Sequence, residues 1–505
     1  PLPAGVLQKY KFPEIKEAVR AIHFPRSLEE AECAQKRFAF EELLLIQLSA
    51  LRERAKLKRH HAPEIPLQLH WVKKFVASLP FELTDAQRRS MWEIFQDIAK
   101  PRPMNRLLEG DVGSGKTVVA ASAALLVARA GFRTAVMAPT EILARQHYDT
   151  LSKFLKPFDV SVGLLIGSEK KSTGAAVLTG THALIQEGRT FENLGLVVVD
   201  EQHRFGVEQR ARLIKNNTTH LVPHFLSMSA TPIPRTFALA IYGDLDLSIL
   251  DEMPKARKRV ITKIVEPEKR PGAYQFIRDE VKEGRQVFVI CPRIEVSLPA
   301  EGETSIRPAM LETKAVKEEY KKLSEKIFKD LKVGMLHGKL KSKEKDAVMK
   351  KFKNRELDIL VSTSVVEVGV DVPNATIMMI EGAQAFGLAQ LHQFRGRVGR
   401  GAAQSYCFLF PSENGMTTRR LRAVVEAKNG FELAERDLEI RGAGDIFGTR
   451  QWGVSSEAMK ALADAKLVRA VRTEAIELLR QDPKLEHNFL LGERLEETER
   501  TVHLE

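Results

Sequence analysis

Between residues 110 and 117 the chain reads Gly110-Asp111-Val112-Gly113-Ser114-Gly115-Lys116-Thr117, a complete G-x-x-x-x-G-K-T phosphate-binding loop. An apolar pair, Leu107-Leu108, precedes it, and an apolar run typical of a helix follows over residues 118–127. In this context the glycines let backbone N–H groups converge on phosphate oxygens at a helix N-terminus. The stretch predicts a nucleoside triphosphate site in a strand–loop–helix unit, rather than a glycine-rich turn without a ligand.

Each polar or glycine position of this phosphate loop (residues 110–117) has an expected role. Gly110, Gly113 and Gly115 are expected to form the cradle for the phosphates. Lys116 is expected to reach the β- and γ-phosphates, and the Thr117 hydroxyl to ligate Mg²⁺.

A second motif supplies carboxylates at the end of an apolar strand. Residues 196–199 read Leu-Val-Val-Val and are followed by Asp200-Glu201-Gln202-His203. A carboxylate at the end of a parallel strand lies beside the phosphate loop in doubly wound folds, so Asp200 is expected to hold Mg²⁺. Glu201 is then expected to orient or deprotonate the attacking water. A solvated acidic pair on the surface is the alternative interpretation.

A third motif is rich in arginine and lies far downstream, at residues 390–400, which we call the arginine segment. It contains Arg395, Arg397 and Arg400 interleaved with glycine. Planar guanidinium groups suit a phosphoryl transition state, because paired donors neutralise the charge on the γ-oxygens. The distance from the phosphate loop favours a second domain that closes over the nucleotide, although a basic surface turn would have the same composition.

Together with Ser229-Ala230-Thr231-Pro232, these motifs resemble those of superfamily 2 helicases. Three stretches resemble the RecG branch-migration helicases more specifically: Asp-Glu-Gln-His-Arg-Phe-Gly-Val at 200–207, Ala-Thr-Pro-Ile-Pro-Arg-Thr at 230–236 and Asn-Gly-Phe-Glu-Leu-Ala-Glu-Arg-Asp-Leu-Glu-Ile-Arg-Gly at 429–442. The last stretch, continued to residue 451, is similar to a translocation motif shared with the transcription-repair coupling factor. The resemblance extends from about residue 18 to residue 453.

This resemblance implies roles that the residues alone do not. Phe81 is expected to stack on adenine and Gln87 to pair with it, which makes the nucleotide ATP. Gly369 and Asp371 are expected to be the second lobe's contribution to nucleotide binding. Residues expected to couple hydrolysis to movement on DNA are Ser229, Thr231, Gln393, Arg436, Arg441 and Gln451.

The order of helical and strand patterns predicts an α/β fold. Strand patterns alternate with helices twice, which is the rhythm of parallel sheets. The resemblance implies two RecA-like lobes, with a helical N-terminal strut and a C-terminal helical hairpin region. The predicted segments are 1–80 (strut), 81–255 (first lobe, with the phosphate loop), 256–428 (second lobe) and 429–505 (translocation motif and C-terminal helices).

Length, charge and cysteine content set broad limits. A chain of 505 residues is too long for one core, and its net charge of +12 favours a polyanionic partner. Three isolated cysteines without metal-ligand spacing are typical of reduced thiols in the cytosol. No apolar run long enough for a membrane span is present. These features predict a cytosolic protein with no membrane partner, and the resemblance to RecG helicases implies the bacterial cytosol or nucleoid.

The function expected from the resemblance is an ATP-dependent double-stranded DNA translocase or helicase. It would act as a monomer on the duplex arms of stalled forks and four-way junctions. The chain starts at Pro1 and shows no β-rich pattern before residue 80, so a fragment without the fork-splitting wedge domain of RecG proteins is expected.

Two other functions stay open. One is the motor of a transcription-repair coupling factor, although Ser114 and Gln202 differ from the Phe and Glu more typical of that family. The other is a nucleotide-gated DNA-binding scaffold that does not hydrolyse ATP.

Overall fold

The structure is a computed structural model of the chain. It describes residues 2–57, 59–167, 169–185, 191–200, 221–230, 245–254, 257–292, 316–338, 340–363, 372–401, 403–412, 419–441, 458, 461–462 and 464–502. Its contacts divide the chain into two compact units. Unit 1 comprises Pro1–Ala62, Ile233–Leu247 and Ala434–Glu505, and unit 2 comprises Pro63–Pro232 and Ser248–Leu433.

In unit 1 the described ranges 2–57 and 464–502 are mainly helical. Its helices are α1 (Ala4–Tyr10), α2 (Ile15–His23), α3 (Leu28–Leu57), α13 (Ala465–Gln481) and α14 (Phe489–Val502). Phe40, Leu44 and Leu48 on α3 are fully buried against Val471 of α13 and Leu495 of α14. The N-terminal and C-terminal helices therefore share one apolar core, which burial of these side chains stabilises.

Unit 2 begins with a lobe built around the phosphate loop. Its helices are α4 (Leu69–Ser78), α5 (Asp85–Ile98), α6 (Lys116–Arg129) and α7 (Glu141–Leu155). Its strands are β1 (Asn105–Gly110), β2 (Arg133–Met137), β3 (Val162–Ile166), β4 (Glu169–Lys171), β5 (Val177–Gly180), β6 (Leu194–Asp200), β7 (His224–Ser229) and β8 (Asp246–Leu250).

These strands form one sheet in the order β4-β3-β5-β2-β6-β7-β1-β8. Strands β2, β3, β5, β6, β7 and β1 pair in parallel, and β4 pairs antiparallel with β3. The six residues of β6 from Leu194 to Val199 are all buried, as expected for a central parallel strand covered on both faces. Helix α6 is apolar all round and lies in the core of this lobe.

A second lobe in unit 2 contains a parallel sheet in the order β11-β12-β10-β13-β14-β9. Its strands are β9 (Ile261–Ile264), β10 (Gln286–Ile290), β11 (Val333–Leu336), β12 (Ile359–Ser362), β13 (Ala375–Glu381) and β14 (Tyr406–Phe410). Its helices are α8 (Arg270–Lys282), α9 (Ser342–Lys353), α10 (Leu388–Arg395), α11 (Arg419–Glu426) and α12 (Gly430–Arg441), of which the last extends beyond Leu433 into unit 1.

The predicted fold class is confirmed: two lobes with parallel sheets are accompanied by helical N-terminal and C-terminal regions. The compact units group the chain differently from the four predicted segments. Residues 63–80, predicted as part of the strut, pack in the first lobe, because Ile65 and Phe75 are buried in the same core as α5 and α6. Among the described helices, none is both long and apolar enough to cross a membrane.

A buried histidine makes the stability of unit 2 depend on pH. His224, at the start of β7, is fully buried; its Nδ1 accepts the Met104 N–H at 3.0 Å, and its Nε2 donates to the Pro63 carbonyl at 2.7 Å. Burial lowers the pKa of His224 to about 4. The neutral form therefore stabilises the fold fully above the unfolded pKa of about 6.5, and that contribution is lost as the pH falls towards 4.

We expect acidification from pH 6.5 to pH 4 to lower the free energy of unfolding of wild type by up to about 3 kcal/mol more than that of the variant His224→Asn. Each unit by which the pKa of His224 is shifted is worth about 1.4 kcal/mol. Denaturant unfolding of both proteins, followed by tryptophan fluorescence, to which Trp71 and Trp92 of the first lobe contribute, measures the difference. Equal pH dependence in the two proteins would contradict this role of His224.

Candidate nucleotide site

The carboxyl ends of three neighbouring strands bring the first group of predicted residues together. Glu109 of β1 is in register with Ser229 of β7, and Met228 of β7 is in register with Asp200 of β6. The phosphate loop follows β1 directly and ends in α6, which begins at Lys116. The predicted strand–loop–helix context of the loop is therefore present.

Glycine is required at several positions of the phosphate loop. Gly113 and Gly115 have φ values of +81° and +90°, a region that residues with a side chain rarely adopt. A Cβ atom at Gly110 would come within 2.7 Å of the Leu250 Cβ on the neighbouring strand. The backbone can therefore take a curvature that leaves its N–H groups available to an anion at the start of α6.

The Lys116 side chain folds back over the loop. Its Nζ donates to the carbonyl of Gly110 at 2.6 Å and to that of Asp111 at 3.0 Å. The ammonium group thus lies beside the loop, where a bound triphosphate would compete with these two carbonyls for it.

Asp200 is held by a histidine that the sequence motifs do not include. The Nε2 atom of His147, on α7, lies 2.8 Å from Asp200 Oδ2; the His147 side chain is buried, and that of Asp200 is 12% exposed. Burial raises the pKa of Asp200, but the hydrogen bond and charge of His147, with the charges of Lys116 and Arg397, outweigh it and leave the pKa below its usual value. Asp200 is therefore ionised and fixed in orientation.

A cavity of about 260 Å³ lies between the two lobes of unit 2, and we call it the interlobe cavity. The first lobe contributes Lys116, Thr117 and Asp200 to its wall, and the second contributes Arg397 and Arg400. The sequence predicted all five for one site, and the structure brings them to one cavity. Its wall is rich in positive charge, which suits a polyphosphate.

A further arginine binds both the phosphate loop and the arginine segment. Arg257, which precedes β9, donates to the carbonyls of Gly396 and Gly399 at 3.1 Å each and also to that of Val112. One guanidinium group thereby connects the phosphate loop to the arginine segment. The sequence carries no signal for this role, because the acceptors are main-chain carbonyls.

The residues predicted to hold adenine have different environments. Phe81 is 43% exposed and forms an edge contact with Phe154, so one face of its ring is accessible. Gln87 is buried; its Oε1 accepts the Thr84 N–H at 3.0 Å, and its Nε2 donates to the Ser114 carbonyl at 2.7 Å. In the structure its amide therefore braces the phosphate loop against the start of α5.

The other predicted site residues are only partly described. Ser229 is buried at the end of β7, Gln393 is buried on α10, and Arg436 lies half-buried on α12. Outside the described residues, or with a side chain that is not described, lie Glu201, Thr231, Gly369, Asp371, Arg441 and Gln451.

The residues at the interlobe cavity fit a magnesium–nucleotide complex. Mg²⁺ is typically held by one or two protein oxygens together with phosphate oxygens and water. Thr117 and Asp200 offer such a hydroxyl and carboxylate at one cavity wall. Among the described residues there is no group of three or more His, Cys, Asp or Glu side chains that could hold a metal without phosphate ligands.

Three known families match successive parts of the chain. The DEAD/DEAH box helicase family matches residues 84–239, and the helicase conserved C-terminal domain matches residues 272–402. The family described as ATP-dependent DNA helicase RecG, domain 3, C-terminal, matches residues 427–502.

Two curated relatives are similar over nearly the whole chain, and both are named ATP-dependent DNA helicase RecG. The relative from Synechocystis sp. is 46% identical over 500 residues, which cover 96% of this chain and 58% of that protein. The relative from Bacillus subtilis is 44% identical over 497 residues, which cover 95% of this chain and 71% of that protein.

A solved structure of RecG bound to a three-way DNA junction is also similar. It is 42% identical, with a TM-score of 0.75, over 92% of this chain and 61% of the solved chain. The chain thus spans about three fifths of the length of this protein and of the Synechocystis relative.

Proposed function

Because the chain belongs to the RecG family of ATP-dependent DNA helicases, we propose that it is an ATP-driven motor that moves along duplex DNA and remodels branched DNA. The proposed substrates are the duplex arms of stalled forks and of four-way junctions. The relative of known structure was solved with a three-way junction, and the net charge of +12 favours a polyanionic partner.

The observation that carries this proposal is the interlobe cavity. Groups for binding a triphosphate come from one lobe, and the two arginines come from the other. Hydrolysis at such a site replaces a triphosphate that both lobes contact by its products. Nucleotide turnover can therefore drive relative movement of the lobes. A site contained in one lobe would have no such consequence.

In the proposed reaction each residue at the cavity has a separate role. Lys116 and the N–H groups of the phosphate loop bind the phosphates, while Phe81 stacks on adenine and Gln87 supports the loop. Arg397 and Arg400 neutralise charge that develops on the γ-phosphate oxygens. Glu201 orients or deprotonates the attacking water, and Gly369 and Asp371 complete the nucleotide contacts from the second lobe.

We propose Mg²⁺ as the metal cofactor, with Thr117 and Asp200 as its protein ligands. When bound, the ion would neutralise negative charge on the phosphate oxygens. His147 holds Asp200 in its orientation through the 2.8 Å hydrogen bond.

Movement on DNA is assigned to a different group of residues. We propose that Ser229 and Thr231 link hydrolysis to strand movement, and that residues 429–451, the translocation segment, act on the duplex. Members of this group from the second lobe and the translocation segment are Gln393, Arg436, Arg441 and Gln451.

Forked and four-way DNA should stimulate ATP hydrolysis more than linear duplex does, and single-stranded DNA should stimulate it least.

The affinity for DNA should depend steeply on salt. It should fall by roughly 10³–10⁵ between about 50 and 200 mM salt if roughly six to ten phosphates are contacted. Steady-state ATPase assays and fluorescence anisotropy with the four DNA types measure both effects.

The same assays separate the motor from a scaffold that binds nucleotide without hydrolysing it. A scaffold would bind branched DNA in an ATP-dependent way with no turnover above that of Lys116→Ala, which serves as the background. Strongest stimulation by single-stranded DNA would contradict the proposed duplex substrate.

A further inference from the structure

A buried carboxylate in the phosphate loop makes contacts on the side away from the interlobe cavity. Asp111 is 4% exposed, and its Oδ1 is hydrogen bonded to His392 Nε2 on α10. Its Oδ2 accepts the backbone N–H of Gly430, the first residue of α12, at 3.0 Å. One side chain thus connects the phosphate loop to the arginine segment and to the start of the translocation segment.

The direction of these hydrogen bonds is fixed by a neighbouring arginine. Arg395 Nη2 lies 2.7 Å from His392 Nδ1, and its Nη1 donates to the Val424 carbonyl at the end of α11 at 2.8 Å. A guanidinium group can only donate, so Nδ1 accepts and the ring hydrogen is on Nε2. His392 therefore donates to position 111, where an acceptor is required.

The Lys116 side chain connects the nucleotide site to the backbone of Asp111. The Asp111 carbonyl accepts a hydrogen bond from Lys116 Nζ at 3.0 Å, as described above. A bound triphosphate would draw the ammonium group towards its own oxygens, leaving the Ser114 N–H, at 3.1 Å, as the donor to that carbonyl. The backbone at Asp111 would then lose the hydrogen bond from Lys116, while the side chain of Asp111 still binds His392 and Gly430.

Electrostatics keep this carboxylate in its accepting form. Burial raises the pKa of Asp111, but the hydrogen bonds from His392 and Gly430 and the charge of Arg395 outweigh it and leave the pKa below its usual value. The negative charge also lies at the N-terminus of α12, where the helix dipole favours it.

We propose that Asp111 is a positioning residue that passes the state of the nucleotide site to the translocation segment, through its bonds to His392 and to the first N–H of α12. This inference rests on the proposed motor function and identifies a connection between its two sites. Asp111 does not act on the substrate; it determines how much movement on DNA accompanies each ATP hydrolysed.

The variant Asp111→Asn tests the connection with almost no change in volume. Asparagine offers one acceptor oxygen, and its amide must face either the Gly430 N–H or the His392 Nε2–H. His392 cannot reverse its tautomer to compensate, because Nδ1–H would then face Arg395. At least one of the two contacts is lost.

The primary measurement is the amount of DNA moved per ATP hydrolysed, from triplex displacement on linear duplex and ATPase assays of the 505-residue chain. We expect this ratio to fall about fivefold or more in Asp111→Asn, the range expected for loss of coupling between two sites. Loss of folded protein lowers both rates in proportion and leaves the ratio unchanged. His392→Phe, which removes both ring nitrogens, should reproduce the effect, and the double variant should add little to it.

Arg257→Ala is the matched control. It removes the bonds from the phosphate loop to residues 396 and 399 but keeps those of Asp111. Turnover should decrease in this variant, with the ratio within about twofold of wild type, because the Asp111 carboxylate keeps its bonds to His392 and Gly430.

Hydrogen exchange of a peptide that contains the Gly430 amide provides a second measurement, which does not need DNA movement. In wild type, ADP–beryllofluoride should change this exchange rate, and in Asp111→Asn the amide should exchange about tenfold faster with no response to the nucleotide. An unchanged ratio together with a wild-type nucleotide response in Asp111→Asn would overturn the proposal. If wild type itself moved no DNA, the motor function would fail, and the Gly430 response would still decide the role of Asp111.

Discussion

Replacing Arg400 with alanine is expected to lower DNA-stimulated ATP turnover by a factor on the order of 10³ or more, while ATP affinity changes by only a few fold. Arg400 and Arg397 belong to the second lobe, yet they line the interlobe cavity with Lys116 and Asp200. In the proposed role these guanidinium groups act on charge that develops during phosphoryl transfer, so their loss should lower turnover more than ATP affinity.

The substitution Arg400→Lys separates charge from geometry. Lysine keeps the positive charge but lacks the planar pair of donors, so it should restore little of the lost turnover. Arg422→Ala, at an exposed position on α11 of the same lobe, is the matched control and should keep near wild-type turnover. The measurements are single-turnover hydrolysis and binding of a fluorescent ATP analogue. An Arg400→Ala protein that bound ATP weakly but hydrolysed it at the normal rate would exclude a role in the transition state.

The second large effect is expected at Lys116. Lys116→Ala should weaken ATP binding about tenfold or more and reduce turnover to background, because the substitution removes a charged donor beside the phosphates. Helix α6 should stay intact, since alanine is the strongest helix former and the remaining apolar residues of the helix are buried. Binding of the same fluorescent analogue and steady-state hydrolysis measure the two effects.

Lys153→Ala, at an exposed position on α7 of the same lobe, controls for the loss of one positive charge. It should match wild type in both assays. Near-normal ATP affinity in Lys116→Ala would show that the phosphate loop binds nucleotide through its backbone alone.

The predicted residues that the structure brings together share local patterns. The phosphate loop is a contiguous stretch, and Asp200 is recognised because it ends an apolar strand. Both patterns reflect short-range geometry, so their positions at neighbouring strand ends follow from the parallel sheet.

The contacts that no pattern predicted join residues far apart in the chain. His147 lies 53 residues before Asp200 and is a single histidine on one face of α7. Arg257 binds a carbonyl 145 residues away, and His392 binds Asp111 across 281 residues. A main-chain acceptor has no side-chain identity, and a lone histidine on a helix has many possible partners, so only the folded arrangement identifies these contacts.

The shared core of the N-terminal and C-terminal helices has a consequence for synthesis on the ribosome. Helix α3 is made before α13 and α14, and residues 58–464 must follow before these two can cover its apolar side chains. At roughly 5–20 residues per second, this interval is on the order of tens of seconds. During it Phe40, Leu44 and Leu48 lack the partners that bury them, while the lobes of unit 2 can already fold. The nascent chain therefore carries an exposed apolar helix until α13 and α14 have been made, which makes this period the one in which chaperones matter most.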